Sequence, residues 1–205
     1  ARSTKMIASF CAKVCDYFVT IGVIESGKKD LYIYGLHQGI VMFFNIITTL
    51  LVGCILGMVW QSIVFLLAYI PIRSYAGGYH AKTPVRCYCI SVILITATLL
   101  AMKYVTLTPA TCWGGILGSS ALIFILAPIE DKNKPFTPAE KKVFQKRSRI
   151  LLGVEFSVGA IAYILGYSSV CFCVLMSLVT LSVMLILGKI KNYVIKRNNS
   201  QNTEQ

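Results

Sequence analysis

Apolar runs of about 17 to 21 residues recur along the chain, each long enough at about 1.5 Å per residue to cross roughly 30 Å of hydrocarbon. Lipid offers no water to complete the hydrogen bonds of an open backbone, so such runs must be helical. The fold class that follows is an all-α, polytopic membrane protein. Composition agrees: of 205 residues 56% are hydrophobic and 14% charged, with a mean hydropathy of +0.70, too oily for a water-soluble globule. The apolar segments fall near residues 36–56, 57–72, 88–108, 111–129, 150–166 and 169–188, which predicts six spans. The first two join through Gly53 to Gly57 without a polar loop.

Short loops keep Lys and Arg on the cytoplasmic side of a membrane. With the N-terminus inside, Lys103 alone of the 20 basic residues is left outside, which predicts an even number of spans and two cytoplasmic termini. The net charge of +12 therefore reads first as topology, then as a surface for anionic membrane lipids or an acidic ligand; it argues poorly for nucleic acid. Residues 1–30 form an interfacial segment, in which Met6, Phe10, Val14, Tyr17, Phe18 and Ile21 recur near the helical period between Lys13, Asp16 and Thr20. That suits a helix in the membrane plane or one packed under the bundle. Lys13 and Asp16 break the apolar run, so a secretory signal is not expected. Residues 31–190 form the membrane domain, 71–87 and 130–149 are its cytoplasmic loops, and 191–205 is a cytoplasmic tail, disordered from Asn198 on. Of the eight cysteines, Cys54, Cys89, Cys112, Cys171 and Cys173 lie in or beside apolar spans and read as packing residues.

The loop from Pro71 to Cys87 is unusual for a connector. It sets His80 and Cys87 seven residues apart beside Arg73, Lys82 and Arg86, and an imidazole with a thiol is what a cysteine peptidase needs. His80 can take the thiol proton, while the cations and the positive end of the third span favour a thiolate. Seven residues along one helix would separate the pair by about 10 Å. Pro84 restarts the chain, and Gly77 and Gly78 let the loop fold back, so a meeting is permitted. Cys89 lies about 200° around the helix from Cys87, and His37 has no cysteine nearby in sequence.

With those residues in view, the chain resembles the accessory gene regulator B (AgrB) family, the membrane cysteine peptidases of Gram-positive quorum sensing. The likeness rests on Arg73, on Gly78, His80 and Ala81 with Cys87 seven residues after the histidine, and on Ala127-Pro128 followed by Lys132, Lys134 and Pro135. Ile72 stands where a second Arg is common, and Asp131 and Asn133 interrupt the lysine run. The resemblance implies a catalytic pair of His80 and Cys87, with Arg73, Lys132 and Lys134 as important basic positions. It implies a bacterial cell-membrane protein that cuts an AgrD-like precursor peptide through a Cys87 thioester, which then cyclises to a thiolactone or lactone. No cofactor or metal is implied, no third catalytic member is assigned, and a homodimer is left open. The lysine-rich loop suits an acidic peptide tail, or serves only to orient the chain.

Glu155 is an ionisable group inside a span and calls for a partner. The expectation is an ion pair with Arg73 or a neighbouring cation, or else orientation of His80 or exposure at the lipid interface. Two other classes compete. A small peptide exporter would need paired polar groups at mid-membrane, where the spans offer mainly Ser, Thr and Gly; a non-catalytic scaffold would tolerate loss of His80 and Cys87. One His with one or two Cys falls short of a metal site.

Overall fold

Three helices begin on the same dipeptide, and each uses it in the same way. Thr83-Pro84, Thr108-Pro109 and Thr137-Pro138 each put a threonine at the N-cap and proline at the first helical position. Proline has no N–H to lose there, and the threonine hydroxyl accepts from an otherwise orphan amide. In the computed structural model, which describes residues 2–79, 81, 83–106, 108–130 and 136–203, the chain is helical almost throughout. The helices are α1 (Arg2–Thr20), α2 (Lys29–Leu56), α3 (Val59–Ala76), α4 (Pro84–Tyr104), α5 (Pro109–Leu126), α6 (Pro138–Ile164) and α7 (Ser168–Thr203). No strand occurs among the described residues; the one bridge is an isolated pairing of Gly77 with Ile129.

Four segments combine the length and apolarity needed to cross a membrane: Ser26–Leu56, Val85–Tyr104, Pro109–Leu126 and Ser168–Ile195. Each of the six expected spans falls largely within its own helix from α2 to α7, but α3 and α6 are not among those four. Arg73 stands near the end of α3, and α6 opens on Lys141, Lys142, Lys146, Arg147 and Arg149. The chain is thus a membrane protein with four helices that meet the criterion, and α3 and α6 packed among them.

Helix α7 lies against α3, α4, α5 and α6. Leu178, Leu181 and Leu185 on it are fully buried and form one core with Ile72, Ile116 and Ile123. A second core gathers Phe65, Leu99, Met102 and Cys173. Gly57, with φ of 70°, closes α2 in the left-handed conformation and turns the chain into α3. Helix α1 packs on α2 through buried Cys11 and Cys15, and Lys29 pairs with Asp16 at 2.5 Å. It leaves Phe10, Tyr17 and Phe18 exposed.

Three expected boundaries are corrected. The connector taken as 71–87 is only 77–83, because α3 continues through Pro71 to Ala76 and α4 starts at Pro84. The loop taken as 130–149 is helical from Pro138, where Thr137 and Glu140 form a reciprocal capping box. The tail taken as disordered from Asn198 continues α7 to Thr203; after Gly188 no glycine or proline stops the helix.

Candidate active site at the end of the bundle

Cys87 is the fourth residue of α4, one turn in from the Thr83 cap. It is half-buried and lines a cavity of about 410 Å³ bordered by α2, α3, α4, α6 and α7, with Arg73, Tyr69, Asn45 and Met184 also in its wall. Tyr69 is close enough to interact with both Arg73 and Cys87. Cys89, two residues on, is exposed and outside that wall, as the helical rotation requires. Apolar walls with a few polar groups and one nucleophile make the usual composition of a substrate site.

The loop that enters this site is fixed on three sides. Arg73, in the last turn of α3, donates to the carbonyls of Gly77 and, at 3.0 Å, of Tyr79. The Ile129 amide donates to Ala76 O at 2.9 Å, and Ile129 pairs with Gly77. On the far side, the Tyr79 amide donates to Met184 O of α7 at 2.9 Å. Gly77 and Gly78 have φ of 72° and 133°, conformations open to glycine and strained for other residues. Gly188 of α7 is equally constrained: a Cβ there would lie 2.8 Å from the carbonyl carbon of Gly78. Asn192 Nδ2 donates to Glu130 O at 2.9 Å, so successive turns of α7 hold both the 77–79 loop and the segment after Pro128.

The structure brings Arg73, Gly77 and Cys87 around one cavity, with Gly78 packed on the Arg73 guanidinium and Pro84 at the start of the helix that carries Cys87. His80, Lys132 and Lys134 lie outside the described residues. Glu155 goes elsewhere: it sits about 25 Å along α6 from Pro138, buried, and accepts a 2.9 Å hydrogen bond from Ser177 of α7. Arg73 is turned to main-chain carbonyls, so the expected Glu155–Arg73 ion pair does not form.

The wall contributed by α2 was not anticipated. Tyr34, Gln38 and Asn45 share one face of that helix, and polar residues spaced by 4 and 7 within an apolar run are the signal that marks it. Gln38 Nε2 donates to Tyr34 Oη at 3.3 Å and Asn45 Nδ2 to Val41 O at 3.0 Å, while Asn45 Oδ1 is buried with no partner among the described residues. At the C-terminal end of α3 and the N-terminal end of α6, Tyr75, Phe136 and Phe144 form an aromatic cluster, with Arg147 stacked 5.3 Å from the Tyr75 ring centre. Lys142, Lys146 and Arg149 line a separate groove of about 420 Å³.

Two AgrB-like proteins of Clostridium perfringens are similar: one from strain 13, 25% identical over 71% of this chain and 72% of its own, and one from strain SM101, 24% identical over 70% and 71%. No solved structure gives a significant match. A family model for accessory gene regulator B matches residues 11–188, and the chain therefore belongs to the accessory gene regulator B family.

Proposed function

We propose that this chain is a membrane-embedded cysteine endopeptidase that cuts a short AgrD-like precursor peptide. The observation that carries the reading is Cys87, a half-buried thiol in the wall of an apolar cavity, beside a loop tied to both α3 and α7. Family membership supports a part in accessory gene regulator autoinducer processing.

In this reading His80 takes the Cys87 proton, the thiolate attacks the scissile carbonyl, and the proton passes to the departing amine. The C-terminal piece leaves, and the N-terminal piece stays on Cys87 as a thioester. A thiol or hydroxyl within the peptide then attacks that thioester, closing a thiolactone or lactone and returning the Cys87 thiol. The cavity takes apolar side chains near the scissile bond. Lys132, Lys134 and the groove of Lys142, Lys146 and Arg149 attract an acidic part of the peptide. By the distribution of basic residues, the site and both termini face the cytoplasm of a bacterial cell.

The test is mass spectrometry of the purified protein in lipid with candidate precursor peptides. Wild type is expected to give a shortened or cyclised peptide and a transient adduct on Cys87. Cys87→Ala and His80→Ala are expected to stay folded and give neither. Cutting by Cys87→Ala would remove Cys87 as nucleophile, and passage of uncut peptide across the bilayer would favour an exporter instead.

A further inference from the structure

Two cysteines that play no part in peptide cutting face each other at the opposite end of the bundle. Cys112 is in the first turn of α5 and Cys171 in the first turn of α7. Their sulfurs are 3.0 Å apart, and both residues have 0% exposure. Each is a free thiol, and each is placed by its own helix start: the Cys112 amide donates to Thr108 O at 2.9 Å and the Cys171 amide to Tyr167 O at 3.1 Å.

The surrounding packing holds the pair in register. One turn further along, a Cβ on Gly115 would come within 2.7 Å of Leu175 Cδ1, so α5 and α7 pack closely there and an added methyl would have to displace the Leu175 side chain. Trp113 of α5 and Tyr163 of α6 meet edge to face, with ring centres 5.5 Å apart. By contrast, Cys11 and Cys15 stand on one helix, where a link would tie no two elements together, and Cys54 and Cys89 are exposed.

We propose that Cys112 and Cys171 form a thiol pair that closes to a cystine between α5 and α7. The sulfurs need to approach by about 1 Å to reach bonding distance. The oxidant is a small external disulfide. The thiolate of one cysteine attacks a sulfur of that disulfide and expels one thiolate. The second cysteine, its proton passed to the expelled group, attacks the mixed disulfide and expels the other half. The protein sulfurs lose two electrons and the external disulfide gains them, leaving one protein cystine and two small thiols.

The pair is at the end away from the 77–83 loop. On the orientation proposed above that end faces outside, where disulfides persist. The bridge would close a loop that contains all of α6, and it would fix the register of α7, which carries Met184 and Gly188 to the Cys87 site. The in vitro test does not depend on the orientation or on peptide cutting.

Full-length protein in lipid nanodiscs is incubated with 2-hydroxyethyl disulfide, denatured, alkylated with N-ethylmaleimide and mapped by mass spectrometry. The expected result is one cross-linked peptide containing Cys112 and Cys171, two hydrogens lighter than its parts. Two of the eight thiols are then lost to a linkage that dithiothreitol reverses. In Cys112→Ser that cross-link disappears and Cys171 is recovered free or as a small mixed disulfide. Full alkylation of Cys112 and Cys171 in treated wild type overturns the proposal. So does pairing of either with a different cysteine, or a small adduct that never closes.

Discussion

The guanidinium of Arg73 faces main-chain carbonyls rather than an acid, and that choice explains why an arginine stands there. Its planar fork reaches Gly77 O and Tyr79 O together, whereas a lysine carries a single point charge and cannot hold both in one plane. A hydrogen bond from a charged group contributes roughly 1.5–3 kcal/mol, so Arg73→Lys is expected to slacken the loop and lower peptide cleavage at least ten-fold while the helices stay folded; unchanged cleavage in lipid would refute this role. Gly188→Ala tests the same loop from the other side, because the added methyl meets the backbone of Gly78 and Tyr79. Cleavage is expected to drop with little loss of helicity by circular dichroism, and wild-type activity would show that the loop does not need α7. At this scale Arg73, Gly77, Gly78 and Cys87 were legible because they lie within fifteen residues of one another. Met184 and Gly188 were not, since the contact joins positions more than a hundred residues apart and no local pattern marks a glycine as a docking point.

Helix starts are where structure and hydropathy differ most, and the Thr-Pro cap accounts for much of the difference. Hydropathy finds the oily middle of a helix and stays silent about polar turns before it. In α6 those turns carry five cations, so the span was placed from residue 150, although the Thr137-Pro138-Ala139-Glu140 box starts the helix at Pro138. The box is reciprocal: Thr137 Oγ1 accepts from the Glu140 amide at 3.2 Å, and Glu140 Oε2 accepts from the Thr137 amide at 2.9 Å. Thr137→Ala is expected to cost about 1 kcal/mol locally and to speed amide hydrogen exchange over residues 139–141. Because the Phe136–Phe144 stack, with ring centres 4.8 Å apart, spans that same turn, exchange should also rise near Phe144. Protection equal to wild type there would mean that tertiary packing alone holds the helix start.

At the scale of the whole molecule, α7 connects everything the site depends on. It holds the 77–79 loop through Met184, approaches α5 at Cys171, and is joined to α6 near its middle by the Ser177–Glu155 hydrogen bond. The sequence made Glu155 conspicuous but misplaced it, because a span counted from residue 150 puts it near the cytoplasmic edge, within reach of Arg73 and His80. Counted from Pro138 it is deep in the bundle, and it is absent from the wall of the Cys87 cavity. It accepts from the Ser177 hydroxyl and makes no salt bridge with a cation among the described residues, so a packing role is the expectation to test. Glu155→Gln keeps an oxygen to accept from Ser177 and removes the ionisable group. Thermal unfolding in detergent and peptide cleavage are both expected to stay close to wild type. Glu155→Lys puts an ammonium in the membrane interior, where a cation is costly; its unfolding temperature is expected to fall. Loss of cleavage in Glu155→Gln with an unchanged unfolding temperature would decide the other way, returning the carboxylate to the chemistry as a group that acts on His80.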